Sequence, residues 1–160
     1  MIRRHFLSAL LLPVLLLAGC GQSQSVEQQV IATIRQMEEK IEAGQRLAFM
    51  EHVDDAFSGQ QGSMNRDQVR ALVIFQLNRY KELQAQLFPI SVTETGPDTA
   101  TAEFRALVTG GPGWIPDSGR VYDFQTGWRL DGGDWLLVSA DWKPVPLEEV
   151  LESLPAPSRD

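Results

Sequence analysis

Gly127-Trp128-Arg129-Leu130-Asp131-Gly132-Gly133-Asp134-Trp135-Leu136-Leu137-Val138 is the stretch that decides the fold. Two runs of aromatic and branched residues flank Asp-Gly-Gly-Asp. Such a sequence is a tight hairpin turn, because glycine supplies the positive φ angles that a two-residue loop requires. Strands are predicted over about 120–130 and 135–143. With Gly132-Gly133 at the turn, a regular ladder sets Leu130 against Trp135, Trp128 against Leu137, Thr126 against Ser139 and Phe124 against Asp141. This face, with Tyr122, is the more apolar one and is expected to look toward the helices. The opposite face carries Gln125, Arg129, Leu136, Val138, Ala140 and Trp142.

Upstream of the hairpin the same alternation continues. Ala100, Ala102, Phe104, Ala106 and Val108 mark one strand, and Phe88, Ile90 and Val92 another, with Gly96-Pro97-Asp98 turning the chain between them. A long loop is expected from Gly110 to Gly119. Before residue 80 the period is helical. Val30, Ile34, Met37 and Ile41 mark a helix over about 26–43, with Ser25 and Gln28 as a capping box and Gly44 as the stop. Leu47, Phe49, Val53 and Phe57 predict a second helix over about 46–57. Val69, Leu72, Val73, Leu77 and Tyr80 predict a third over about 66–80, capped by Asn65 with Gln68. The class is α+β: three helices packed on a curved antiparallel sheet of about four strands, spanning 26–143. Pro144 and Pro146 break the last strand. Leu147, Val150, Leu151 and Leu154 suggest a short C-terminal helix within a frayed 144–160 tail.

This order resembles the nuclear transport factor 2-like superfamily, with Val53-Asp54-Asp55-Ala56-Phe57 closing helix two and the Gly127–Val138 hairpin closing the sheet. The resemblance implies a cone whose bent sheet wraps a long helix and leaves a pocket at its open end. It also implies pairing of two copies through the outer sheet face. Steroid-isomerase-like members need a carboxylate base, a tyrosine and a protonated acid to hold an oxyanion. The matching positions hold Gln60, Gln36, and Gln125 or Thr126. Glutamine accepts no proton at neutral pH, so the resemblance does not carry that mechanism here.

The N-terminus reads as an address. Arg3-Arg4-His5 precede an apolar run from Phe6 to Leu16, broken by Ser8 and Pro13. Eleven residues are too few to span a bilayer, which takes roughly 20, and suit the core of an export signal. Leu17-Ala18-Gly19-Cys20 resembles the lipobox of bacterial lipoproteins. The resemblance implies cleavage after residue 19 and acyl chains on Cys20. Residues 20–25 then form a tether, and five residues reach at most about 17 Å. Gly21 stands where an aspartate would signal inner-membrane retention, so in a cell with two membranes the resemblance favours the outer one, facing the periplasm.

Charge and composition narrow the rest. The chain carries a formal −7, with 43% hydrophobic and 22% charged residues. With Arg3 and Arg4 removed, −7 becomes −9. An acidic surface repels phosphate backbones and argues against nucleic acid. Cys20 is the only cysteine, and His52 the only histidine besides His5. Neither a thiolate cluster nor a multi-histidine metal site fits one chain, and no cofactor is implied.

Candidate site residues follow from these faces. Tyr122, Phe124, Thr126, Trp128, Ser139 and Asp141 form an aromatic wall that turns polar at one end, as small-ligand sites require. The same polar groups equally suit the capping of helix ends. His52 meets Asp55 at helical spacing, a pairing that raises an imidazole pKa and suits a general base; solvated charge at a helix end is the plainer reading. Trp114 reads as a lid or partner contact, or as a ring tucked back on the domain. The functions expected are a lipid-anchored module binding a small apolar-aromatic molecule or a protein partner. The alternatives are a hydrolyase or isomerase using His52 with Asp55 or Asp141, and a structural subunit of an envelope assembly. A homodimer, or cover by the C-terminal helix, accounts for the half-apolar outer face.

Overall fold

The computed structural model describes residues 24–80, 82–111, 118–146 and 148–149. Cys20 with Leu17, Ala18 and Gly19, the leader, Trp114 and, but for the helical Glu148 and Glu149, the helix expected around Leu147 to Leu154 lie outside the described residues.

Helix α1 (Val26–Glu42) opens on the expected capping box: Gln28 N donates to Ser25 Oγ at 3.2 Å, and Ser25 N to Gln28 Oε1 at 3.1 Å. It ends at Ala43, before Gly44 at φ 67°. Val30, Ile34 and Met37 are buried as their spacing demands. Helix α3 (Arg66–Arg79) has the Asn65–Gln68 box, at 3.0 and 2.8 Å, and buries Val69 and Val73.

The second helix is shorter than its apolar spacing predicts. α2 (Arg46–Glu51) stops at His52, and Val53–Gly59 is strand β1. The carbonyls a longer helix would use internally are taken by other partners. Arg66 donates to Met50 O and Val53 O, each at 3.0 Å, and Leu137 N donates to His52 O at 2.8 Å. Val53 and Phe57 are core residues, but from a strand; Leu47, counted in the same stripe, is 72% exposed.

The remaining strands are β2 (Met64–Asn65), β3 (Glu82–Leu87), β4 (Ser91–Gly96), β5 (Thr99–Gly111), β6 (Ser118–Asp131) and β7 (Asp134–Pro144). Their order is β2-β1-β7-β6-β5-β3, with β4 also pairing β5. β1 lies parallel to β7, so the sheet is mixed where an antiparallel one of about four strands was expected. Phe88 and Ile90 sit between β3 and β4 instead of opening a strand, and β3 itself escaped the period reading. The ends of the expected Gly110–Gly119 loop belong to β5 and β6. Helices α1 and α3 cover one face of the sheet, and the core between them takes in Met50, Val53, Phe57, Ala102, Trp128, Trp135 and Leu137.

The β6–β7 register decides which side chains face that core. Leu130 pairs with Trp135 and Trp128 with Leu137, as a regular ladder requires. A β-bulge then intervenes: Gly127 pairs with Ser139, which leaves Val138 as the extra residue. Beyond it Thr126 meets Ala140, Gln125 meets Asp141 and Phe124 meets Trp142. One added residue exchanges the faces of everything that follows. Ser139 and Asp141 therefore lie on the outer face, while Ala140 and Trp142, expected outside, lie inside.

Candidate functional site

Between the helices and the inner sheet face is a cavity of about 650 Å³. Its floor is built from residues buried elsewhere in the core, among them Ile34, Met37, Phe57, Val73, Trp128 and Ala140. Its sheet wall is aromatic. Phe104, Phe124 and Trp142 are cross-strand neighbours on β5, β6 and β7. Phe104 and Phe124 stack at 5.2 Å with planes 10° apart, and Trp142 follows Phe124 at 6.3 Å. Tyr122 leans on Phe124 from further along β6, at 6.3 Å. Offset stacks of this kind hold rings rigid and present a flat apolar surface.

The mouth is marked by the lining residues that remain exposed: Phe75 at 56%, Arg79, Gly119 and Arg120. Gly110 lets this end close tightly. A Cβ there would meet the Tyr80 ring at 2.5 Å, so Tyr80 packs flat against the β5 backbone. The Arg79 guanidinium lies 5.6 Å from the centre of that ring, over its face.

Tyr122, Phe124, Thr126 and Trp128 line the cavity. Ser139 and Asp141 do not, for the reason the bulge supplies; Asp141 Oδ1 accepts from Gln61 N at 2.7 Å on the far side. Thr126 is 7% exposed, and its hydroxyl is already used. It donates to Ala102 O at 3.0 Å and accepts from Trp128 Nε1 at 2.9 Å. Thr126 therefore orients the Trp128 ring more than it offers a bond to a guest.

His52 and Asp55 are not brought together. His52 caps α2, and Asp55 begins the exposed edge of β1, its side chain 99% accessible and 3.5 Å from Arg66 Nε. Neither lines the cavity. The His52 pKa moves down, not up: burial disfavours the imidazolium, and this outweighs the attraction of Glu51 and Asp134. Gln60, at the resemblance's base position, donates to Trp142 O at 3.1 Å. Gln36 and Gln125 are exposed. Among the described residues, Glu38 is the carboxylate on the cavity wall. Arg35 Nη1 holds one of its oxygens at 2.9 Å, and Leu87 N donates to the other at 3.3 Å.

The charges at the mouth went unread in the sequence, although a signal was there. Arg120 shares strand parity with Tyr122, Phe124 and Thr126, and Gln76 and Arg79 extend the apolar face of α3 toward its end.

No protein-family model matches the chain, and no curated protein matches it by sequence. Solved structures do match. An NTF2-like protein of unknown function from Pseudomonas putida superposes with a TM-score of 0.63 at 16% identity, over 79% of this chain and 94% of its own. A provisionally named dehydratase of the NTF2-like family from Streptomyces avermitilis gives 0.62 at 20%, over 74% and 95%. The fold is nuclear transport factor 2-like. Bdellovibrio bacteriovorus Bd1075 gives 0.65 at 9%, over 74% of this chain. The chain spans 41% of that protein. At these identities the shared property of nuclear transport factor 2-like proteins is the cone itself, which hosts many unrelated activities.

Proposed function

We propose that this protein is a lipid-anchored binding module whose nuclear transport factor 2-like cone takes a small, largely apolar molecule at a bacterial membrane surface. One observation carries the reading: a cavity of about 650 Å³ lies over a packed core and is walled by the Phe104–Phe124–Trp142 stack. Pockets of roughly 300–1,000 Å³ suit small molecules. Binding is favoured over turnover because the wall's carboxylate, Glu38, is engaged by Arg35 and the Leu87 amide. The dehydratase name of one structural neighbour supports a hydrolyase reading only if an acid or base elsewhere reaches the cavity. The lipobox-like Leu17-Ala18-Gly19-Cys20 supports the anchor. Native mass spectrometry of the chain isolated from its own membranes tests the reading. A retained mass beyond protein and acyl groups, lost when the cavity is narrowed by Ala106→Phe, is expected. A bare spectrum from a folded preparation overturns it.

A further inference from the structure

We infer that the molecule held in the cone is an amphiphile with an apolar body and an anionic head, the head lying between Arg79 and Arg120. The inference rests on the ligand-binding reading above and adds the class of ligand. Arg35, Arg66, Arg70, Arg105 and Arg129 each pair with a carboxylate, while Arg46, which pairs with none among the described residues, does not line the cavity. Arg79 and Arg120, the two arginines that line the cavity, pair with none among the described residues. In a chain with 21 acidic and 14 basic side chains, carboxylates outnumber cations, so two unmatched guanidiniums on one rim are a local reversal of charge.

Their places converge. Arg79 lies over the Tyr80 ring, Tyr80 packs on Gly110, and Arg120 pairs across the ladder with Val108. Val108 is two residues from Gly110, roughly 7 Å by strand rise. The opposing carboxylate, Glu38, is neutralised by Arg35. Below the rim the lining is mostly aromatic and aliphatic, with Gln76, Thr109 and the internally bonded Thr126 as its neutral polar side chains. A guest must therefore be apolar along its length and negative at its outer end. The planar guanidinium fork fits carboxylate and phosphate alike.

Tryptophan fluorescence reads occupancy, because Trp128 and Trp142 both line the cavity. The purified full-length chain is titrated with decanoate, decyl phosphate and 1-decanol. At least one anion is expected to bind roughly tenfold or more tightly than the alcohol, and the tighter anion identifies the head group. Arg79→Gln with Arg120→Gln is expected to weaken the anion by roughly tenfold or more and to leave 1-decanol within about twofold. Both arginines are exposed, so the double variant is expected to keep a cooperative thermal melt, lowered only by loss of the Arg79–Tyr80 contact. If 1-decanol binds as tightly as both anions, or the double variant leaves anion binding intact, the head-group assignment is overturned while ligand binding in the cone stands. Silence with all three probes also overturns the assignment, and the native mass spectrum then decides the ligand-binding reading separately.

Discussion

At the scale of single residues, two groups outside the cavity have consequences for stability. Asp54 is 4% exposed; its Oδ1 accepts from Ala56 N at 2.8 Å, and its Oδ2 is bound by Arg129 Nη2. The pair is asymmetric, because the Arg129 side chain is 48% exposed. Without Asp54, Arg129 is rehydrated; without Arg129, a buried carboxylate is left with one amide. Arg129→Ala is therefore expected to cost about 2–3 kcal/mol and Asp54→Asn, which keeps the Ala56 bond, about 1 kcal/mol. Urea unfolding of both variants checks the order. His52 gives a pH dependence. Its folded pKa lies below the ordinary 6.5 because burial favours the neutral ring. The unfolded chain therefore takes up a proton first as pH falls. The stability that His52 lends is whole above 6.5 and is lost as pH drops below that value, until the folded ring protonates too. His52→Gln is expected to flatten the fall in melting temperature between pH 7 and 5; a slope unchanged from the parent assigns it to other groups.

Among the elements, what was legible in the sequence was local. Capping boxes at Ser25 and Asn65 and the Gly132-Gly133 hairpin depend on neighbours a few residues apart, and each is where its sequence places it. What was not legible depends on distant partners. Helical spacing from Leu47 to Phe57 is genuine, yet β1 forms because Arg66 and β7 claim the carbonyls. The bulge at Val138 has no signature in the β7 sequence alone. It is tied to β1, whose parallel register shifts between Val53 and Ser58 over the same part of β7. That one residue moved Ser139 and Asp141 off the inner face and brought Trp142 onto it, so the faces given by a regular ladder hold along β6 and are exchanged in β7 beyond Val138. It also took Ala140 and Trp142 from the outer face, removing much of the apolar surface on which pairing of two copies was expected. The hairpin offers the clean test at this scale. Gly133 has φ 99° and Gly132 φ 60°. Gly133→Ala is expected to lose about 1–2 kcal/mol, because a Cβ is penalised at positive φ, whereas Gly132→Asn, in the left-handed region asparagine tolerates, stays within about 0.5 kcal/mol. Denaturation midpoints of the two variants separate them.

For the whole molecule, the proposed membrane location raises the question of what would hold a charged domain there. Among the described residues no helix is long and apolar enough to cross one. The segment after residue 19 has a net −9, which repels anionic lipid head groups. The proposed anchor therefore rests on acyl chains at Cys20. Each buried methylene contributes about 0.8 kcal/mol, and two chains give a stable attachment where one gives a marginal one. With acyl chains at Cys20, a tether of five residues would hold the start of α1 within about 17 Å of the bilayer and so keep the cone beside it. That distance matters for an amphiphile, whose free concentration in water is low and whose supply is the membrane itself. Cys20→Ser blocks the acylation, but it also retains the leader, whose apolar run has an affinity of its own. The decisive comparison replaces residues 1–19 with a secretory signal cleaved before residue 20 and carries serine at that position. That chain is expected in the soluble periplasmic fraction, folded, with probe binding unchanged in solution. Should it sediment with membranes as fully as its parent, adhesion comes from the domain surface and the acyl anchor is not what holds it.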